Sequence, residues 1–198
     1  VTSGLLAASV EWDDLLADIT HCTRCGLART RTHAVPGDGN QQADIMFVGE
    51  APGANEDAQG LPFVGAAGKL LNELLDGIGV PRDAVYITNI LKCRPPGNRN
   101  PGDDEIARCL PYLRRQVALM RPKIIVTLGS FAFKSLVDGA AAISRVHGQF
   151  FEKGRFLFFA TYHPAAALYH GALKEVMQRD FAVLGEKWRR LNGNHHQS

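Results

Sequence analysis

Long apolar runs are missing from this chain. The longest, such as Ile124–Leu128, fall far short of the roughly 20 residues that carry a helix across a bilayer, which excludes a spanning helix of that kind. Residues 1–10 carry neither a basic n-region nor a convincing cleavage site, so no secretory signal is expected there and a cytoplasmic location follows. A charge excess is missing too. Lys and Arg number 22 against 20 Asp and Glu, a formal net charge of +2, so bulk charge does not announce a nucleic-acid binder. Attraction to phosphate would have to come from local clustering, as at Lys92, Arg94 and Arg99. No biased tract or internal repeat points to a disordered or solenoid protein. Cysteine is scarce, with only Cys22, Cys25, Cys93 and Cys109. In a reducing compartment two structural disulfides are disfavoured, and a set of four points to a metal centre.

What is present reads as one domain, residues 1–198, because a core of that size buries most of its apolar surface. Residues 11–20 read as a short helix with Trp12, Leu15, Leu16 and Ile19 on one side. Apolar runs bounded by turn residues predict strands at 44–48, 84–89, 123–128 and 156–161. Between them lie a long irregular Gly/Pro segment (49–65), a helix over 66–78 and a loop over 92–102. A helix over about 103–120 follows, which Pro111 is expected to kink or divide, then a short helix over 130–137. A closing amphipathic helix carries Leu173, Val176, Met177, Phe181, Leu184, Trp188 and Leu191. Alternating strands and helices imply an α/β, three-layer sandwich around a central, mainly parallel sheet of about four strands. In such sheets functional groups gather beyond the carboxyl ends of the strands. Residues 49–53, 89–94 and 162–166 sit there.

The cysteines form a C-x2-C pair, then Cys93, then Cys109. Thiolates at that spacing suit either structural zinc or a [4Fe–4S] cluster, and spacing alone leaves both open. A centre there would staple the N-terminal segment to the loop after the second strand. The turn at 49–53 lets backbone approach a ligand closely. It is neither a Walker motif nor a dinucleotide fingerprint.

The run GEAPGANEDAQGLPFVGAAG (49–68), the run YITNILKCRPPGNRNP (86–101) and HPAAA (163–167), together with the cysteine spacing, are similar to the family 4 uracil-DNA glycosylases. The resemblance runs from about Cys22 to Trp188. It implies a monofunctional glycosylase that flips deoxyuridine out of DNA, single- or double-stranded, and hydrolyses its N-glycosidic bond in base excision repair. It also implies a [4Fe–4S] cluster held by Cys22, Cys25, Cys93 and Cys109, which decides against zinc, and a protein acting as a monomer. Carried over position by position, Phe63 stacks on the flipped base and Asn89 reads its pairing edge. His163 steadies negative charge on the departing ring, and Gly49, Glu50 and Ala51 line the pocket with their backbone. Some other uracil-DNA glycosylases place a water-activating Asp at the position of Ala51. With no carboxylate there, Glu50 or Glu56 is expected to position the water. Family members commonly read Leu-Leu-Arg after the histidine motif, where this chain has Ala167, Leu168 and Tyr169. Leu168 or Tyr169 would wedge into the space the base leaves, and Lys92, Arg94 and Arg99 would contact phosphate.

Two other classes fit parts of the pattern. A non-catalytic nucleic-acid-binding module with structural zinc would be colourless, and a redox protein would work without Asn89 and His163. Homologues that capture uracil-DNA covalently use a histidine in a loop inserted after the asparagine, and that insertion is missing here. The resemblance supplies no lysine for a Schiff base, so no lyase step is expected.

Overall fold

The computed structural model describes residues 2–193. A six-stranded sheet in the order β1-β3-β2-β4-β6-β5 forms its centre. The strands are β1 (Asp38–Gly39), β2 (Ile45–Gly49), β3 (Tyr86–Asn89), β4 (Ile124–Leu128), β5 (Phe150–Lys153) and β6 (Phe156–Thr161). The inner four, β3, β2, β4 and β6, run parallel, and the edge strands β1 and β5 pair antiparallel. The inner four are those expected from the apolar runs. Both edge strands were missed, which takes the sheet from about four strands to six.

The helices are α1 (Thr2–Thr20), α2 (Ala54–Gln59), α3 (Ala66–Gly77), α4 (Asp103–Met120), α5 (Ser130–Leu136), α6 (Ile143–Val146), α7 (Pro164–Tyr169) and α8 (Ala172–Gly193). Side chains alternate across the buried strands, as a pleat requires. Ile45, Phe47, Ile87, Val126 and Phe159 face α3 and α8. Met46, Val48, Tyr86, Ile125 and Phe158 face α1, α4 and α5. That two-sided burial makes three layers, as expected. Among the described residues no helix is long and apolar enough to cross a membrane.

Two local expectations are corrected. The stretch over 49–65 is not irregular throughout: α2 lies inside it, its first turn fastened by Glu56, whose Oε2 accepts the Gly53 N–H at 3.1 Å. Pro111 does not divide α4, which runs unbroken from Asp103 to Met120. A proline inside a helix removes one backbone bond, and here Pro111 lies on the exposed face, where the freed carbonyl is open to solvent.

The chain steps from β2 to β3 on one side, then returns to place β4 on the other side of β2. The helix after β2 packs on one face and the helix after β4 on the other, so the loops leaving these neighbours part. This is the switch point where open α/β sheets bind ligands.

Candidate active site

A cavity of about 390 Å³ opens above the carboxyl ends of the parallel strands, lined by Glu50 to Gly53 after β2, Asn89 and Pro95 after β3, and His163 and Ala165 after β6. Phe63, Glu56, Asn98, Arg99 and Tyr169 complete the wall. That volume suits a small ligand. The loops that sequence position singled out do converge.

Asn89 ends β3 at 1% exposure. Its Oδ1 is a buried side-chain acceptor with no hydrogen-bond partner among the described residues. Leaving such an acceptor unmet costs about 1–3 kcal/mol, so it can take a ligand's N–H. Backbone fixes its place: Gly49 pairs with Asn89 in the sheet, and Ile90 and Leu91 donate to the carbonyls of Gly49 and Glu50 at 2.9 and 3.0 Å. A Cβ on Gly49 would sit 2.5 Å from Asn89 Oδ1 and 2.7 Å from Phe63 Cζ. Glycine is thus required by the close approach of these two groups, and Gly49 belongs to the site through what it leaves open.

Phe63 is buried, with φ of +50°, a left-handed conformation that side chains seldom adopt. Arg82 holds it there, donating to the Phe63 carbonyl at 3.1 Å, the Pro62 carbonyl at 2.7 Å and Asn72 Oδ1 at 2.9 Å. Gly68 backs the same turn, since a Cβ there would lie 1.8 Å from the Phe63 carbonyl oxygen. Neither Arg82 nor Gly68 was singled out in the sequence, and no local signal marks a charged residue 19 positions away as a loop clamp. The Phe63 ring stacks against His163, centroids 5.5 Å apart at 28°.

His163 caps α7, its Nδ1 accepting the Ala165 N–H at 3.1 Å. An accepting Nδ1 carries no proton, so the ring is neutral and Nε2 holds the hydrogen. Enclosure lowers its pKa from the usual 6.5 to about 4, with Glu56 pulling weakly the other way. At neutral pH the site holds an uncharged imidazole that donates through Nε2.

The two expected carboxylates part company. Glu56 accepts from the Gly53, Val64 and Gly65 amides at 3.1, 3.0 and 3.1 Å. Both its oxygens are committed to backbone, so its geometry is that of a loop clamp and not of a water-handling base. Glu50 is half-buried on the cavity wall, and desolvation raises its pKa above the ordinary glutamate value.

The four cysteines line a second, enclosed cavity with Ile19, Leu27, Leu91 and Tyr112. Each of three sulfurs has a donor: Arg24 N–H to Cys22 Sγ at 3.5 Å, Lys92 N–H to Cys109 Sγ at 3.3 Å and Arg31 Nη1 to Cys93 Sγ at 3.1 Å. Burial pushes the Cys109 thiol up to about 11, against the pull of Lys92. The thiols ring the cavity: among the described residues no three His, Cys, Asp or Glu side chains converge as ligands of a single ion.

One expected phosphate contact is overturned. Lys92 is 1% exposed, its Nζ donating to Thr88 Oγ1, Asn89 O and Gln116 Oε1 at 2.5, 2.8 and 2.7 Å. A nitrogen sealed from solvent cannot meet a DNA backbone, and burial lowers its pKa from 10.5 to about 7 against the pull of Cys109. Arg94 and Arg99 stay near the surface, Arg94 bonded to Asn98 and Arg99 paired with Glu105 at 2.6 Å. Leu168 and Tyr169 end α7 at 51% and 84% exposure, unusual for apolar groups beside a cavity.

The family model of the uracil DNA glycosylase superfamily matches residues 36–185 and places the chain in that superfamily. Curated relatives narrow the placement. The type-4 uracil-DNA glycosylase of Saccharolobus solfataricus is 49% identical over 183 residues, covering 87% of this chain and 85% of the relative. That of Archaeoglobus fulgidus is 49% identical over 182 residues, covering 88% and 92%. A type-5 uracil-DNA glycosylase of Pyrobaculum aerophilum is 30% identical over 213 residues, covering 88% and 94%. The chain belongs to the type-4 uracil-DNA glycosylases.

Proposed function

We propose that the chain excises uracil from DNA by hydrolysing the N-glycosidic bond of deoxyuridine, as a monofunctional glycosylase that leaves an abasic site for base excision repair. The observation that carries this reading is the buried, unpartnered Oδ1 of Asn89, on the wall of a cavity that it shares with the stacked phenyl ring of Phe63 and neutral imidazole of His163.

A glycosylase cannot reach its bond inside the stack, so the nucleotide swings into the cavity. Phe63 offers a fixed face to the ring. Asn89 Oδ1 accepts N3–H and its amide NH2 reaches O4, while Gly49, Glu50 and Ala51 line the ring's edge with backbone. Cytosine reverses both polarities and would leave buried groups unmet, so it is rejected. As the bond stretches, charge gathers on the base oxygens, and His163 Nε2–H donates to O2. Glu50, nearer than a committed Glu56 to free action, orients the water that attacks the oxocarbenium-like sugar.

Cys22, Cys25, Cys93 and Cys109 would hold a [4Fe–4S] cluster as thiolates. Their spread around a shared cavity supports that fit over a single zinc ion, and the N–H donors to three of the sulfurs suit thiolates. Bound, the cluster supplies a cross-link between the segment after α1 and the loop after β3. Arg94 and Arg99 meet phosphate, and Leu168 or Tyr169 fills the gap in the stack, on single- or double-stranded DNA. One sheet covered on both faces supports reading residues 1–198 as a single domain, and action as a monomer in the cytoplasm is part of the same proposal.

Incubation with single- and double-stranded oligonucleotides carrying one uracil, followed by alkali, tests the reading. Strand scission at uracil, and none at cytosine or thymine in the same position, is expected. A folded, brown preparation that leaves every uracil intact would refute it.

A further inference from the structure

Lys92 is the most buried cation of the described chain, and it lines the thiol cavity three residues after Asn89, which lines the other. Its ammonium has three protons and three acceptors: Thr88 Oγ1, the Asn89 carbonyl and Gln116 Oε1. These partners are themselves tied down. Thr88 Oγ1 donates to the Pro36 carbonyl at 2.7 Å, and Gln116 Nε2 donates to the same carbonyl at 2.9 Å and to the Tyr86 hydroxyl at 3.2 Å. All three acceptors are neutral, the opposing charge within reach is that of Cys109 in the thiol ring, and sealing an ammonium still costs far more than filling the space with an apolar side chain. Packing therefore gives no reason for a lysine here. What a lysine does that Leu or Met cannot is grip the backbone carbonyl of Asn89 from below, at the strand end whose side chain carries the unpartnered acceptor. At its other end the residue is moored to the thiols: its N–H bonds Cys109 Sγ, and Cys93 follows it in the chain.

We propose that Lys92 is a positioning residue for base selection, its buried ammonium fixing the aim of the Asn89 amide while its backbone is anchored at the thiol cavity. The residues that would hold the metal centre are thereby joined to the base-reading group through one side chain. The inference rests on the reading of Asn89 given above, and its test separates the two.

Equilibrium affinity is measured for two oligonucleotides of one sequence, carrying 2′-fluorinated deoxyuridine or 2′-fluorinated deoxycytidine, which resist hydrolysis. The ratio of the two affinities reports base reading without turnover. In Lys92→Met the volume is nearly kept at a length one atom shorter, and the grip on the three acceptors is lost. The ratio is expected to fall about tenfold, through weaker binding of the uracil oligonucleotide. Visible absorbance of the metal centre and the salt dependence of binding should stay at wild-type values. An unchanged ratio with a lowered Tm would reduce Lys92 to a structural prop and overturn the proposal. A salt slope smaller by about one would make it a phosphate contact after all, with the same consequence. Should Lys92→Met yield no folded protein, Thr88→Val removes one of the three acceptors and is read in the same assay. A fall of about threefold supports the proposal and no fall overturns it. Asn89→Ala is the reference arm. If it keeps the wild-type ratio, the reading of Asn89 itself is wrong. If it abolishes the ratio while Lys92→Met keeps it, only the positioning role fails.

Discussion

His163 and Glu50 are tuned in opposite ways by the same cavity. Enclosure costs a charge its hydration, so it lowers the imidazole to about 4 and raises the carboxyl. The histidine consequence has a definite sign. The unfolded chain binds a proton at the usual 6.5 that the folded chain refuses until about 4, so stability falls as pH drops through that window and the loss levels off below it. Urea midpoints of wild type and His163→Gln, compared between pH 7 and 5, should show a smaller decline in the variant. For Glu50, a carboxylate that orients water must be ionised. Single-turnover excision should lose rate on the acid side at a pH above the ordinary glutamate range. In Glu50→Gln the rate should drop about a hundredfold and that acid limb should vanish. Glu56→Gln should behave differently, losing about 2 kcal/mol of stability through weakened bonds to three amides while the acid limb persists.

Elements explain why some of this was legible and some not. β2, β3, β4 and β6 are buried apolar runs ended by turn residues, so composition marks them. β1 is two residues long, and β5 is two half-buried Phe followed by the exposed Glu152 and Lys153. Edge strands pair on one side only, and neither leaves an apolar run to find. α2 has no apolar stripe and exists because Glu56 fastens its start. Motif resemblance named Asn89, Phe63 and His163, but not what holds them. Lys92 reads as one more cation in a polar loop, because its partner Gln116 is 24 residues away on α4. Arg82 was invisible for the same reason. Its grip on two loop carbonyls keeps Phe63 in a left-handed turn, so Arg82→Met should lower kcat/KM for uracil excision about tenfold with little change in Tm. A Tm drop with unchanged kcat/KM would assign Arg82 to stability alone.

At the scale of the whole molecule, one face gathers what DNA handling needs. Leu168 and Tyr169 stand exposed beside the cavity, and Arg99 lies on its wall. The double variant Arg94→Ala/Arg99→Ala should reduce the salt slope of duplex binding by about two, because Lys92 contributes nothing to it. An unchanged slope would move the phosphate contacts elsewhere. The sheet positions these groups by its topology, with loops parting between β2 and β4 to open the cavity and the thiol ring bracing the loop after β3. Everything chemical depends on a buried acceptor left open on the cavity wall. Competition of excision by free uracil and by N3-methyluracil probes that acceptor directly. Uracil should inhibit at least about tenfold more strongly, because methylation removes the proton that Asn89 Oδ1 awaits and adds bulk against it. Equal inhibition by the two bases would contradict the account.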